Sequence, residues 1–157
     1  MIAVDTNVLV YAHREDSSWH HRARALVDEL AASPGPWAIP WPCLHEFYAI
    51  VTHPGIYDPP TPTELAVDQL AAWLEAPNLV VLAESAGYWE RLRRLLEAGR
   101  LMGPQVHNAR VAALCLHHGV QLLWSADRDF SRFPELAARN PLLTKCATSP
   151  ALQGGEG

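Results

Sequence analysis

At 157 residues the chain is long enough for one domain with a full core, and a composition 49% hydrophobic and 18% charged is globular. A net charge of −5 excludes a nucleic-acid binder built on a simple basic face, although carboxylates clustered in a metal site would themselves be part of that count. No apolar run approaches membrane-span length, and no basic segment leads into a long apolar one, so neither a membrane span nor a signal peptide is expected.

The cysteines, Cys43, Cys115 and Cys146, are odd in number and widely spaced. That argues against a disulfide framework or a CxxC zinc site and fits a reducing cytoplasm. Lys145 is the one lysine, so phosphate contacts would fall to arginine.

In chain order, Ile2 to Val4 is a short apolar run with β-branched members, as a buried strand requires. It ends on Asp5. Thr6 and Asn7 offer capping side chains for a helix whose apolar residues are Val8, Leu9, Tyr11 and Ala12. An Asp at the carboxyl end of a buried strand sits where open α/β sheets place their ligands; locally, a capping or turn role explains it as well.

His13 to Asp16 is a polar break. Ser17 and Ser18 can cap a helix from about Trp19 to Ala32 with the stripe Ala23, Leu26, Val27 and Leu30. Ser33-Pro34-Gly35-Pro36 stops it, and Trp37 to Pro40 reads as a strand. Pro42 opens a helix to about His53. Four prolines within 54–63 predict a stiff surface loop. A helix from about Thr63 to Ala76 is expected to bury Leu65, Leu70, Trp73 and Leu74. Leu79 to Leu82 is a strand, and about Gly87 to Ala98 is a helix with Arg91, Arg93 and Arg94 outward. Next come a loop over 99–105 and a helix from about His107 to His118 closed by Gly119. Val120 to Trp124 is the last clear strand. Strands alternating with helices predict a parallel sheet covered on both faces.

Carboxylates interrupt this pattern at three places. Glu46 falls on the stripe Cys43, Phe47, Ile50, and a carboxylate on a buried face must be paired, hydrogen-bonded or metal-bound. A core Arg or His, such as neighbouring His45, is the structural alternative. Asp127 follows the last strand as Asp5 follows the first, with Asp129 two residues on; a turn with Asx-type bonds suits one of these better than both. Asn108 shares the face of Val111, Ala112, Cys115 and Leu116, where helix capping is the stronger local account. Converging at strand ends and helix starts, these groups would form an oxygen-only cluster suited to Mg²⁺ or Mn²⁺, whose chemistry on nucleic acids is phosphodiester hydrolysis. No GxSxG elbow or GxxxxGK[ST] loop is present. A receiver-like phosphoacceptor would want a late-strand lysine, and Lys145 lies in the tail.

The remaining candidates are weaker. His20-His21 and His117-His118 lack the i, i+4 spacing of a helical zinc pair and read as surface or helix-end histidines. His107 could touch a phosphate. Arg110 and Arg128 flank the site stretches and could hold a phosphate backbone, with a solvated charge or an ion pair as the plainer account. Trp41 and Tyr48 could stack bases, but core or dimer packing explains them better.

The segments IAVDTNVLVYA, HEFYAIVTHP, GPQVHNARVAAL and SADRDF followed by Phe133 occur in the order found in PIN domains. Over roughly residues 1–142 the chain resembles that family, specifically the VapC-type toxins of bacterial toxin–antitoxin pairs. The resemblance implies a three-layer α/β/α fold with a parallel sheet of about five strands and a PIN domain over 1–142; the poorly patterned residues 143–157 are expected to form a partly disordered tail. It implies a Mg²⁺- or Mn²⁺-dependent endoribonuclease cutting tRNA, rRNA or mRNA to arrest growth. A homodimer is also implied, as is an antitoxin that masks the site and binds operator DNA.

By position, Asp5, Glu46 and Asp127 match three of the family's acidic metal-site residues, and Asp129 matches a further one found in some members. Thr6 and Ser125 match small polar neighbours that orient the site. Asn108 departs, standing where the family carries an Asp ligand. It keeps an oxygen ligand and loses a charge, so weaker metal binding and reduced cleavage are expected, with fold and partner binding intact. Two accounts are open: an inactivated copy of an active enzyme, or a natural Asn with Asp127 and Asp129 carrying the charge. The rival reading is a non-catalytic module of the same fold that binds RNA or antitoxin.

Overall fold

The computed structural model describes residues 1–143. Five parallel strands form one sheet in the order β3-β2-β1-β4-β5. The strands are β1 (Ile2–Val4), β2 (Trp37–Pro40), β3 (Leu79–Leu82), β4 (Leu122–Trp124) and β5 (Ala138–Arg139). Six helices join them: α1 (Thr6–His13), α2 (His20–Ala32), α3 (Trp41–Val51), α4 (Thr63–Leu74), α5 (Tyr88–Gly99) and α6 (Gln105–His117). This is the expected α/β class. A parallel sheet has to be covered, and α1 packs on α2 and α3 while α5 packs on α6. No helix among the described residues is long and apolar enough to cross a membrane. The expected tail lies, beyond residue 143, outside the described residues.

β1 is the centre of the sheet. Its short apolar run lies between β2, with Ile2 opposite Trp37, and β4, with Val4 opposite Trp124. Ala3, Val4, Trp37, Ala38, Ile39 and Leu123 are almost wholly excluded from solvent, as inner parallel strands require. The order reverses at β1: the chain moves outward through β2 and β3, then returns to place β4 on β1's other side. The carboxyl ends of β1 and β4 therefore sit side by side at a topological switch point.

Several local expectations change. β4 begins at Leu122, not Val120, because Val120 still belongs to the end of α6. Gly119, at φ 69, donates to the Leu116 carbonyl, and Val120 to the Cys115 carbonyl, closing a Schellman motif. α5 runs to Gly99, and the residue after it, Arg100, is left-handed (φ 48). In α4, Ala66 and Trp73 face the core, whereas Leu65 and Leu74 are exposed, contrary to expectation. His20 is buried, not at the surface, with its Nδ1 3.1 Å from the Tyr11 carbonyl. The edge strand β5, with both residues exposed, carried no periodicity that could reveal it.

Candidate active site

Asp5 leaves β1 with its N–H donating to the Trp124 carbonyl, one rung beyond the strand itself. It is the N-cap of α1, the capping role given above as its local alternative, with Thr6 and Asn7 inside the helix: its Oδ1 accepts the Thr6 N–H at 2.8 Å. The Cys43 thiol donates to the same oxygen at 3.5 Å. Oδ2 accepts the Ser125 hydroxyl at 2.6 Å and the Asn7 amide at 2.9 Å. A carboxylate only 6% exposed is thus held by four donors. Burial pushes its pKa up, with a further push from the Glu46 charge, and the Ser125, Thr6 and Cys43 bonds pull against that.

Ser125 follows β4 and links the two strand ends. Its hydroxyl oxygen accepts the Asp127 N–H at 3.0 Å while donating to Asp5. Asp127 caps a 3₁₀ turn, Arg128–Arg132, by accepting the Asp129 N–H on Oδ1 at 2.8 Å. Its Oδ2 accepts the Asn108 amide at 2.9 Å. Asn108 is no N-cap, because α6 already starts at Gln105; it projects from the end of the first turn and reaches Asp127.

Glu46 is exposed, so the reading of a carboxylate on a buried face does not hold. α3 carries it on the flank of its buried stripe. It pairs with neither Arg nor His, and His45 stacks instead on Trp41, with centroids 5.7 Å apart. Its Oε2 accepts the Thr6 hydroxyl at 2.9 Å, which brings it to the Asp5 end of the cluster. Oε1 has no donor among the described residues. Asp129 is exposed and contributes its backbone N–H to the cluster.

The sequence reading missed Asn7 as a site residue. Its Nδ2 donates to Asp5 Oδ2 and, at 3.2 Å, to Ser125 Oγ, while its Oδ1 accepts the Ala126 N–H at 2.9 Å. One amide thereby ties the start of α1 to the end of β4. No local signal marks it, because Asn7 reads as an ordinary capping residue until β4 lies beside β1. Of the two arginines named above, Arg110 is paired with Glu84 at 3.3 Å, whereas Arg128 lines a cleft beside Asp127. Trp41 and Tyr48 line a separate small apolar recess with Leu44, Leu70 and Leu74.

The cluster offers carboxylates and hydroxyls, oxygen groups of the kind that hard divalent cations take. The carboxylates meet through intermediaries, Asp5 to Glu46 by Thr6 and Asp5 to Asp127 by Ser125. Among the described residues no three His, Cys, Asp or Glu side chains group closely enough to hold a metal ion by themselves. The Asn108 amide meets the cluster through its N–H, which donates to Asp127.

The fold and its polar cluster define a PIN domain: the model of that family matches residues 2–136, and the chain belongs to it. The chain is 34% identical over 137 residues to ribonuclease VapC48 of Mycobacterium tuberculosis, covering 87% of this chain and 94% of that protein. It is 36% identical over 142 residues to ribonuclease VapC43 of the same organism, covering 90% and 96%. Within the family the chain thus falls among the VapC-type proteins. Solved structures share the fold. M. tuberculosis VapC20, a Sarcin–Ricin loop cleaving toxin, matches with a TM-score of 0.63 at 20% identity over 83% of this chain and 93% of that one. VapBC2 of Rickettsia felis, bound to a DNA fragment of its promoter, matches at 0.60 and 23% over 88% and 98%.

Proposed function

We propose that the chain is a VapC-type ribonuclease toxin that arrests growth in the cytoplasm by cutting cellular RNA and is neutralised by a cognate antitoxin. The observation that carries this is the continuous hydrogen-bonded path Glu46–Thr6–Asp5–Ser125–Asp127–Asn108 at the ends of two adjacent parallel strands. The similarity to named VapC ribonucleases over nearly the whole chain supports the activity. The VapBC complexes among its structural neighbours support the antitoxin partner. A homodimer is part of the same reading.

Asp5, Glu46, Asp127 and the Asn108 oxygen would hold Mg²⁺ or Mn²⁺, with Asp129 at the margin. Bound there, the cation would lower the pKa of a water and offset charge on the phosphate. Asp5 is clamped by four donors and keeps its position without the cation. Glu46 has one oxygen fixed by Thr6 and one open, so it can accept a proton or orient a water. Ser125 and Thr6 keep the carboxylates apart and aligned.

A second reading has one observation in its favour. The Asn108 N–H to Asp127 bond closes the cluster with no cation required, as a non-catalytic binding module would. The deciding experiment is cleavage of total cellular RNA by this chain and by Asn108→Asp, each with Mg²⁺, Mn²⁺ or chelator. Metal-dependent cutting by the Asp form is expected, and far less by the parent. No cutting by either form favours the module.

A further inference from the structure

We infer that the cleft beside Asp127, walled by the 3₁₀ turn and β5, is a phosphate track that guides single-stranded RNA into the site. The inference rests on the ribonuclease reading and adds to it a location, two residues and a mode of recognition. The cleft, about 740 Å³, runs from Ser125 and Asp127 along Arg128 and Ser131 to Arg139 and Asn140.

Its charge runs against that of the protein. In a chain of net charge −5, the cleft is lined by two arginines and one carboxylate, Asp127. Arg128 and Arg139 line the cleft, are exposed, and have no acidic partner among the described residues. Unpaired guanidiniums with planar donor forks are the groups that hold phosphates. The Asn140 Oδ1 accepts the Leu142 N–H at 3.0 Å, and its amide N–H groups have no acceptor among the described residues.

The track is joined to the carboxylates by backbone. The Arg139 carbonyl accepts the Ser125 N–H at 3.0 Å, and the Ser125 hydroxyl binds Asp5. A phosphate held by Arg139 would therefore sit one strand away from the cluster, and Arg128 adjoins Asp127 in sequence. The aromatic floor argues for backbone recognition. Phe130 and Phe133 are 1% and 3% exposed, so they offer no face on which a base could stack. Contacts confined to phosphate and sugar carry no sequence information, so the track positions the strand and leaves base choice to other surfaces.

The test is binding of a fluorescent 12-nucleotide single-stranded RNA of mixed sequence, in chelator or with Ca²⁺ to prevent cutting. The probe meets the intact chain, Arg128→Gln, Arg139→Gln, and Arg93→Gln on α5 as a control of equal charge change. Each cleft variant is expected to bind several-fold more weakly and to lower the slope of log Kd against log salt by ~0.7, the value for one phosphate contact on a single strand. The control should match the parent. If the intact chain binds and all three variants bind alike, the track is wrong and the ribonuclease reading stands. If the intact chain holds no RNA in either buffer, that reading falls and the track with it.

Discussion

The Asn108 amide donates to Asp127 Oδ2 at 2.9 Å and so supplies from within the chain what a cation would supply between two carboxylates. Asn108→Asp removes that donor and sets two acceptors against each other. Without divalent metal the variant should lose about 1–3 kcal/mol of stability. Saturating Mg²⁺ or Mn²⁺ should restore it, and cleavage should rise on the order of 10²-fold or more. Thermal unfolding with and without metal, together with calorimetric titration, reads this directly. Equal metal affinity in parent and variant would refute it.

Asn7 and Ser125 hold Asp5 from the same side. Asn7→Ala and Ser125→Ala should each cost about 1–2 kcal/mol, because each leaves a buried acceptor or an N–H unmatched. The two residues also bond each other, so the double variant should lose less than the sum. Metal affinity should fall in parallel with stability. Strict additivity in a double-mutant cycle would show that they do not act as a unit.

His13 lies edge-on to Phe47, with its nitrogens 3.2 Å from Gln69 and from Thr61. Burial lowers its pKa from 6.5, the Gln69 bond opposes this, and the Arg14 charge adds to it. The native state therefore prefers the neutral ring. Its contribution is present above the unfolded value of about 6.5 and is lost as pH falls below it toward the folded value. Urea midpoints measured from pH 7.5 down to 5 should decline, and His13→Gln should flatten the decline. An unchanged slope in that variant would assign the effect to other groups.

Arg100 adopts the left-handed conformation at the end of α5, where a side chain costs about 1 kcal/mol relative to glycine. Arg100→Gly should raise stability by up to ~1 kcal/mol, or about 2–4 °C in Tm for a chain of this size. The residue is exposed, so no packing is lost. A lower Tm would mean that the guanidinium makes a contribution larger than the strain.

Much of the site could be read from the order of residues, for a local reason. Asp5 and Asp127 each end an apolar strand, and a carboxylate at that point stands out against the run before it. Glu46 stands out in the sequence as a carboxylate on a buried face, but it is exposed on α3, and its connection to the cluster runs through Thr6, forty residues away. Asn7 and β5 were not legible. Asn7 looks like an ordinary capping residue until β4 is placed beside β1, and a two-residue exposed strand has no hydrophobic period.

The sequence by itself determined the alternation of strands and helices, the parallel sheet and the carboxylates at the strand ends. These follow from hydrophobic period and from breaks in it, which are properties of neighbouring residues. Only the tertiary structure decided which groups meet. The 2.6 Å bond from Ser125 to Asp5 spans 120 positions of chain. It exists because the crossover returns β4 to the open side of β1, and pairing across a sheet depends on strand order, which local sequence does not encode.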